Sequence, residues 1–184
     1  MSSSSTTFEV APSLEEYKVD EKEYLRQNSQ YHILATGAVV FNSEGKMLLV
    51  QRAADEKAFP NVWEVPGGKV DDTDATLLHA VARELKEETG LDATKIVRKV
   101  GEFGWGEFSK RRGKDVVWRK LIFEVEVRDD DIKLDPEEHQ DYLWATEDEV
   151  INDKVGDIAL SWITQPNKEI NLDAFKSRRE AAAS

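Results

Sequence analysis

The sequence predicts one α/β domain, on three observations. Its 184 residues lie in the usual range for one domain and are few for two. β-rich segments are interleaved with a strongly helical one and followed by further helical segments, an order that belongs to the α/β class. No internal repeat and no linker interrupts that order.

Residues 1–12 are polar and aperiodic and read as a disordered tail. Ser13-Leu14-Glu15-Glu16 has the form of a capping box and opens a helical arm over residues 13–30. Leu14, Tyr17, Tyr24 and Leu25 would dock that arm; a loosely held extension is the alternative. The main domain, residues 31–184, begins at Tyr31. Ile33 to Phe41 and Lys46 to Gln51 are rich in β-formers and flank the turn Asn42-Ser43-Glu44-Gly45, which predicts a β-hairpin. After Phe59-Pro60-Asn61 comes the short strand Val62-Trp63-Glu64-Val65, closed by Pro66-Gly67-Gly68. Ala75 to Thr89 has helical periodicity, with Asp72 and Asp74 available as N-caps and Gly90 as the stop. Strands follow at Ile96 to Phe103 and Val116 to Val127, then an acidic turn-like stretch from Arg128 to Gln140. Tyr142-Leu143-Trp144 reads as a last strand. Thr146-Glu147-Asp148-Glu149 is a second capping box, and helices continue to Arg179.

Composition excludes several classes of function. There is no cysteine, so disulfides, thiolate metal sites and cysteine nucleophiles are absent. A net charge of −12 is opposite to the basic footprint of a nucleic-acid polymer binder. No apolar run approaches a membrane span, and the Ser/Thr-rich start lacks the features of a secretory signal. The expectation is a cytoplasmic or nuclear protein whose partner is a small molecule.

The chemistry is concentrated between Gly67 and Leu91. At about 100° per residue, Glu84, Glu87 and Glu88 share one helix edge, beside an apolar stripe of Leu78, Val81 and Leu85. Three carboxylates on one edge repel one another and suit a hard divalent cation. Arg83 is four residues before Glu87 and can hold a carboxylate in place. The Gly67-Gly68 turn lets backbone approach a ligand. An isolated Glu-x-x-Glu-Glu is most often a solvated helix face; here the pieces come in a fixed order.

That order resembles the Nudix hydrolase family. Gly68, Arg83, Glu84, Leu85, Glu87, Glu88, Gly90 and Leu91 match its signature as they stand. Two departures occur: Asp74 stands where a Glu is expected, and eight residues rather than seven separate it from Arg83. The extra residue is expected in the loop before the helix, with Asp74 supporting that loop. The resemblance implies an α/β/α sandwich around a mixed central sheet. It implies that Glu84, Glu87, Glu88 and the Gly68 carbonyl hold Mg²⁺ or Mn²⁺, with Arg83 orienting the carboxylates. The implied reaction is attack of metal-activated water on a phosphorus of a diphosphate, with Glu84 or Glu138 as general base. Arg52 and Lys69 would meet the phosphates, and a surface ion pair is the alternative for each. Phe59, Trp63, Trp105, Phe108 and Trp118 are candidate stacking faces. His32, His79 and His139 lack metal-ligand spacing. The basic run Lys110-Arg111-Arg112-Gly113-Lys114, with Arg119 and Lys120 following, is either a guide for polyanions or a solvated hairpin tip.

The resemblance favours a nucleoside diphosphate linked to another group as substrate, with a lean toward normal or oxidised nucleoside triphosphates cleaved to monophosphate and pyrophosphate. Diphosphoinositol, dinucleotide or nucleotide-sugar substrates are alternatives, as is a non-catalytic nucleotide-binding module. The size also makes a homodimer an expectation.

Overall fold

The computed structural model describes residues 7–184. Two sheets carry the fold. The larger runs in the order β1 (Glu9–Val10), β5 (Ala93–Ser109), β6 (Lys114–Val127), β2 (Ile33–Val39). It is mixed: β1 is parallel to β5, β5 antiparallel to β6, and β6 parallel to β2. The smaller is antiparallel, with β3 (Met47–Arg52) between β4 (Trp63–Glu64) and β7 (His139–Ala145).

The expected hairpin between β2 and β3 does not form. The two strands diverge into different sheets and retain only the bridge between Phe41 and Met47. The reason lies in β2: every residue is buried, and a strand covered on both faces pairs along its length with β6, its parallel neighbour. The true hairpin is β5–β6, whose ladder runs from Ala93 with Val127 to Ser109 with Lys114. Lys110 to Gly113 form its tip.

Side-chain alternation along β6 divides the core. Leu121, Phe123 and Val125 face one layer with Leu14, Tyr17, Tyr24 and the helix α2 (Leu77–Thr89). Ile122 faces the other, with Leu49, Trp63, Ile170 and Phe175 beneath the helix α4 (Gln165–Ala183). This is an α/β/α arrangement around one domain. Between β7 and α4 come the short helix α3 (Glu147–Ile151) and the two-strand ribbon β8 (Lys154–Val155) and β9 (Ile158–Ala159). The second capping box forms as read, Thr146 and Glu149 exchanging hydrogen bonds.

The expected tail of residues 1–12 is corrected in part. Residues 1–6 lie outside the described residues, but Glu9–Val10 pair with Lys95 and Ile96 as β1. The arm is two short helices, a 3₁₀ turn Pro12–Tyr17 and α1 (Glu21–Gln27). The capping box read at Ser13 is absent, because the 3₁₀ helix already starts at Pro12 and its N-cap is Ala11. Leu14 is 1% exposed and Tyr17 stacks edge-on against Phe123, so the arm is docked.

Candidate active site

α2 starts at Leu77, capped by the Thr76 hydroxyl, which accepts from the His79 N–H. Neither Asp72 nor Asp74 is the cap. Asp74 instead takes Arg83 in a two-pronged ion pair, Nε at 2.8 Å from Oδ1 and one terminal nitrogen at 2.9 Å from Oδ2. Its second oxygen also accepts the Asp71 N–H at 2.9 Å, so this acid ties the loop to the helix. The additional residue in the spacing is taken up in the loop that ends at Thr76. The opposite terminal nitrogen of Arg83 reaches Glu84 at 2.8 Å and Glu87 at 3.0 Å. One guanidinium thus fixes two of the three box carboxylates.

Glu88 is held differently. It is 3% exposed, and one oxygen accepts the Gly67 N–H at 2.9 Å. Burial pushes its carboxyl well above the ordinary value, and the neighbouring charges of Glu64, Glu138 and Glu84 add to that rise. Burial also raises Glu84, with Arg83 opposing. Glu87 is more than half exposed.

Glycine is required at the turn because backbone passes between packed groups. A Cβ on Gly67 would lie 2.1 Å from the Thr36 carbonyl oxygen, and one on Gly68 would lie 2.6 Å from a Glu84 carboxylate oxygen. The Gly68 carbonyl accepts the Thr36 N–H at 2.8 Å, which leaves one lone pair for a cation.

Glu138 arrives from far along the chain. The Asp135 N–H donates to the Glu88 carbonyl and the Lys133 N–H to the Thr89 carbonyl, docking the acidic stretch on the end of α2. Ligand atoms of Glu88, Glu138 and His139 all come within 4.8 Å of one another. His139 is 1% exposed; its Nε2 is 3.1 Å from Glu64, while Nδ1 lacks a hydrogen-bond partner and lies 3.9 Å from Glu88. Glu64 and His139 were not legible as site residues. The signal for Glu64 was a charged residue inside the otherwise apolar run Val62-Trp63-Glu64-Val65.

The donor set fits a hard divalent cation. Glu88 and Glu138 bring carboxylate oxygens together beside His139, and Glu84 lies close enough for its charge to act on Glu88. Glu88 is buried with a single hydrogen bond, and the Arg83 guanidinium is committed to Asp74, Glu84 and Glu87. A cation would offset the cost of ionising the buried carboxyls.

Beside this edge opens a cavity of about 690 Å³, lined by Gly67, Gly68, Lys69, Arg52 and Phe59 on one side. Trp105, Trp118, Glu107 and Lys120 line the sheet side, and Thr164, Pro166 and Asn167 at the α4 start complete the lining. Trp105 and Trp118 stack on each other at 5.4 Å and 10°, and the Trp118 indole N–H donates to Glu107 at 2.8 Å. Phe59 projects into solvent at a positive φ of 51°.

Trp63 is not part of this wall. Strand alternation turns Glu64 to the cavity and Trp63, 1% exposed, into the core. Arg52 lines the cavity, but its donors go to the Ala58 carbonyl, Glu64 and Glu56 at 3.0, 3.1 and 3.2 Å. Burial pushes Glu64 up; His139, Lys120 and Arg52 outweigh that and leave its carboxyl below the ordinary value. Lys110 to Lys114 are exposed and outside the cavity lining, and Phe108 projects beside them.

The NUDIX domain model matches residues 31–163, well over half of the chain. The chain belongs to the Nudix family. It is 31% identical over 145 residues to a CTP pyrophosphohydrolase of Escherichia coli K12, covering 78% of this chain and 92% of that protein. It is 29% identical over 126 residues to Nudix hydrolase 5 of Arabidopsis thaliana, covering 66% of this chain but only 38% of that longer protein. The MutT protein of Methanosarcina mazei has the same fold, with a TM-score of 0.60 at 24% identity, over 82% of this chain and 96% of that one. Among the described residues no helix is long and apolar enough to cross a membrane.

Proposed function

We propose that the chain is a divalent-cation-dependent pyrophosphohydrolase that cleaves a nucleoside triphosphate to monophosphate and pyrophosphate. The observation that carries this is the adjacency of two features. A carboxylate cluster around buried Glu88, suited to a cation, lies beside a cavity of about 690 Å³ with an indole pair on its wall. The E. coli relative of near-equal extent, named for CTP hydrolysis, supports the nucleotide as substrate class.

Glu84, Glu88, Glu138 and the Gly68 carbonyl would hold Mg²⁺ or Mn²⁺, with exposed Glu87 at the edge. The cation's chemistry there is to lower the pKa of a bound water and to neutralise charge on the phosphoanhydride oxygens. Arg83 keeps Glu84 and Glu87 in register, and Asp74 keeps Arg83 in register. Glu84, whose proton affinity burial raises, and exposed Glu138 are the two groups able to take the water's proton. The free face of the Trp105–Trp118 pair would receive a base, and Lys69 a phosphate.

A panel of nucleoside triphosphates, nucleotide sugars, dinucleotides and diphosphoinositols, each with Mg²⁺ or Mn²⁺ and with product identification, tests this. Metal-dependent release of pyrophosphate from triphosphates is expected. Metal-independent turnover, or binding without cleavage of any substrate, would refute it.

A further inference from the structure

We propose that Lys120 is a substrate-binding residue that takes an anionic phosphate oxygen on the floor of the cavity. The inference deepens the function proposed above and rests on it.

Lys120 belongs to β6 and is paired with Ala35 on one side and Phe103 on the other, so it projects from the middle of the larger sheet. It is 8% exposed. Charged side chains so deeply placed are normally paired. Lys120 makes no ion pair within 4 Å and no hydrogen bond from its ammonium among the described residues. Glu64, the carboxylate whose proton affinity it lowers, has its contacts with Arg52 and His139 instead. Its neighbours show the contrast: Arg119, on the opposite face of β6, pairs with Glu102 and lies over the Tyr31 ring.

The fold makes room for this side chain. A Cβ on Gly37 would meet Lys120 Cε at 3.3 Å, so the stem lies across a position with no side chain. Gly37 in turn packs against Gly67, whose Cβ would come 2.6 Å from the Gly37 Cα. The stem therefore lies beside the Gly67 turn, in the cavity that this turn and the indole pair line together. That is where the phosphates of a nucleotide would pass if its base stacked on the indoles. Of the cations lining the cavity, Arg52 is committed to Glu64, Glu56 and the Ala58 carbonyl. Lys69, at the exposed rim, and Lys120, on the floor, are left to balance a polyphosphate. An ammonium that sits near Glu64 without contacting it keeps its donors free for an anionic ligand.

The test is calorimetric binding of α,β-methylene-CTP and of inorganic pyrophosphate, both with Mg²⁺, to the wild type, K120M and K120Q, with K114M at the hairpin tip as a control for net charge. Melting temperatures are read in parallel. Loss of a charge-assisted contact should weaken both ligands about ten- to a hundredfold in K120M and K120Q, while K114M stays at the wild-type value. The melting temperature of ligand-free K120M should hold or rise. The chain has no cysteine, so K120C can be aminoethylated at that single position, and recovery of affinity would show that the charge rather than the packing binds. Unchanged affinity for pyrophosphate in K120M and K120Q overturns the proposal, as does failure of the wild type to bind either ligand. If the wild type cleaves nothing but K120M and K120Q still bind pyrophosphate more weakly, the hydrolase assignment falls and Lys120 stands. If the wild type cleaves triphosphates and the variants bind like it, Lys120 falls alone.

Discussion

The acidic edge of α2 and the cavity wall beside it are built in opposite ways. On the edge, Arg83, Glu84, Glu87 and Glu88 lie within six consecutive residues, and Asp74 is one short loop away. The wall draws Lys69, Trp105, Trp118, Lys120 and Asn167 from distant parts of the chain. On the edge one guanidinium pairs with Asp74, Glu84 and Glu87 and leaves Glu88 to the Gly67 N–H. On the wall the Lys120 ammonium makes no ion pair among the described residues, though its charge acts on Glu64. Local geometry thus assembles the part proposed to hold a cation, and sheet packing assembles the part proposed to hold a substrate.

Disabling the edge should cost most. Glu88→Gln keeps the Gly67 hydrogen bond and removes a carboxylate proposed to hold the cation. Turnover should fall by about 10³-fold with the fold intact by circular dichroism. Wild-type turnover in that variant would separate the cluster from the chemistry.

Next comes the junction that joins the two regions. Glu64→Gln leaves His139 and Arg52 without their shared carboxylate and should cost about 2–3 kcal/mol in urea unfolding. A loss under 0.5 kcal/mol would mean that the buried triad contributes specificity rather than stability.

The pH dependence of the edge is smaller and has a definite sign. Burial holds Glu84 and Glu88 above the ordinary carboxylate value in the folded state. The folded state therefore binds these protons more tightly than the unfolded one. Without a cation, their contribution to stability is greatest below the ordinary carboxylate range and is lost as pH rises through the raised values. Thermal melts in a chelator should show that loss, and millimolar Mg²⁺ should reverse it, since binding requires the ionised forms. A chelated protein whose stability from these groups increases over that window would contradict the burial argument.

The least costly change is Thr76→Ala, which removes the cap of α2. About 1 kcal/mol of stability should go, with kcat nearly unchanged because Asp74 and Arg83 still hold the carboxylates. A large fall in kcat would show that the edge depends on the start of the helix more than on its ion pairs.

Legibility followed the same division. The acidic cluster, the Gly turn and the Gly90 stop could be read because helical spacing converts three and four residues into spatial neighbours. The hairpin read between β2 and β3 failed because a turn sequence does not determine which strand a fully apolar segment will pair with. Trp63 was misassigned for the complementary reason: in a two-residue strand, one step of register exchanges core for cavity, and Glu64 took the place given to its neighbour. His139 showed no ligand spacing, since its partners Glu64 and Glu88 are brought to it by β3–β7 pairing and by the docking of residues 133–135 on α2.

By itself the amino-acid order determined that three carboxylates and an arginine share one helical edge behind a glycine turn, because one periodicity suffices for that. Only the tertiary structure decided that Lys120 lies in the cavity without an ion pair among the described residues, that Arg52 is already engaged, and that two tryptophans stack where a base could lie. Those facts depend on which strands become neighbours and which way each side chain alternates, and such long-range pairings are selected by the packing of the whole core.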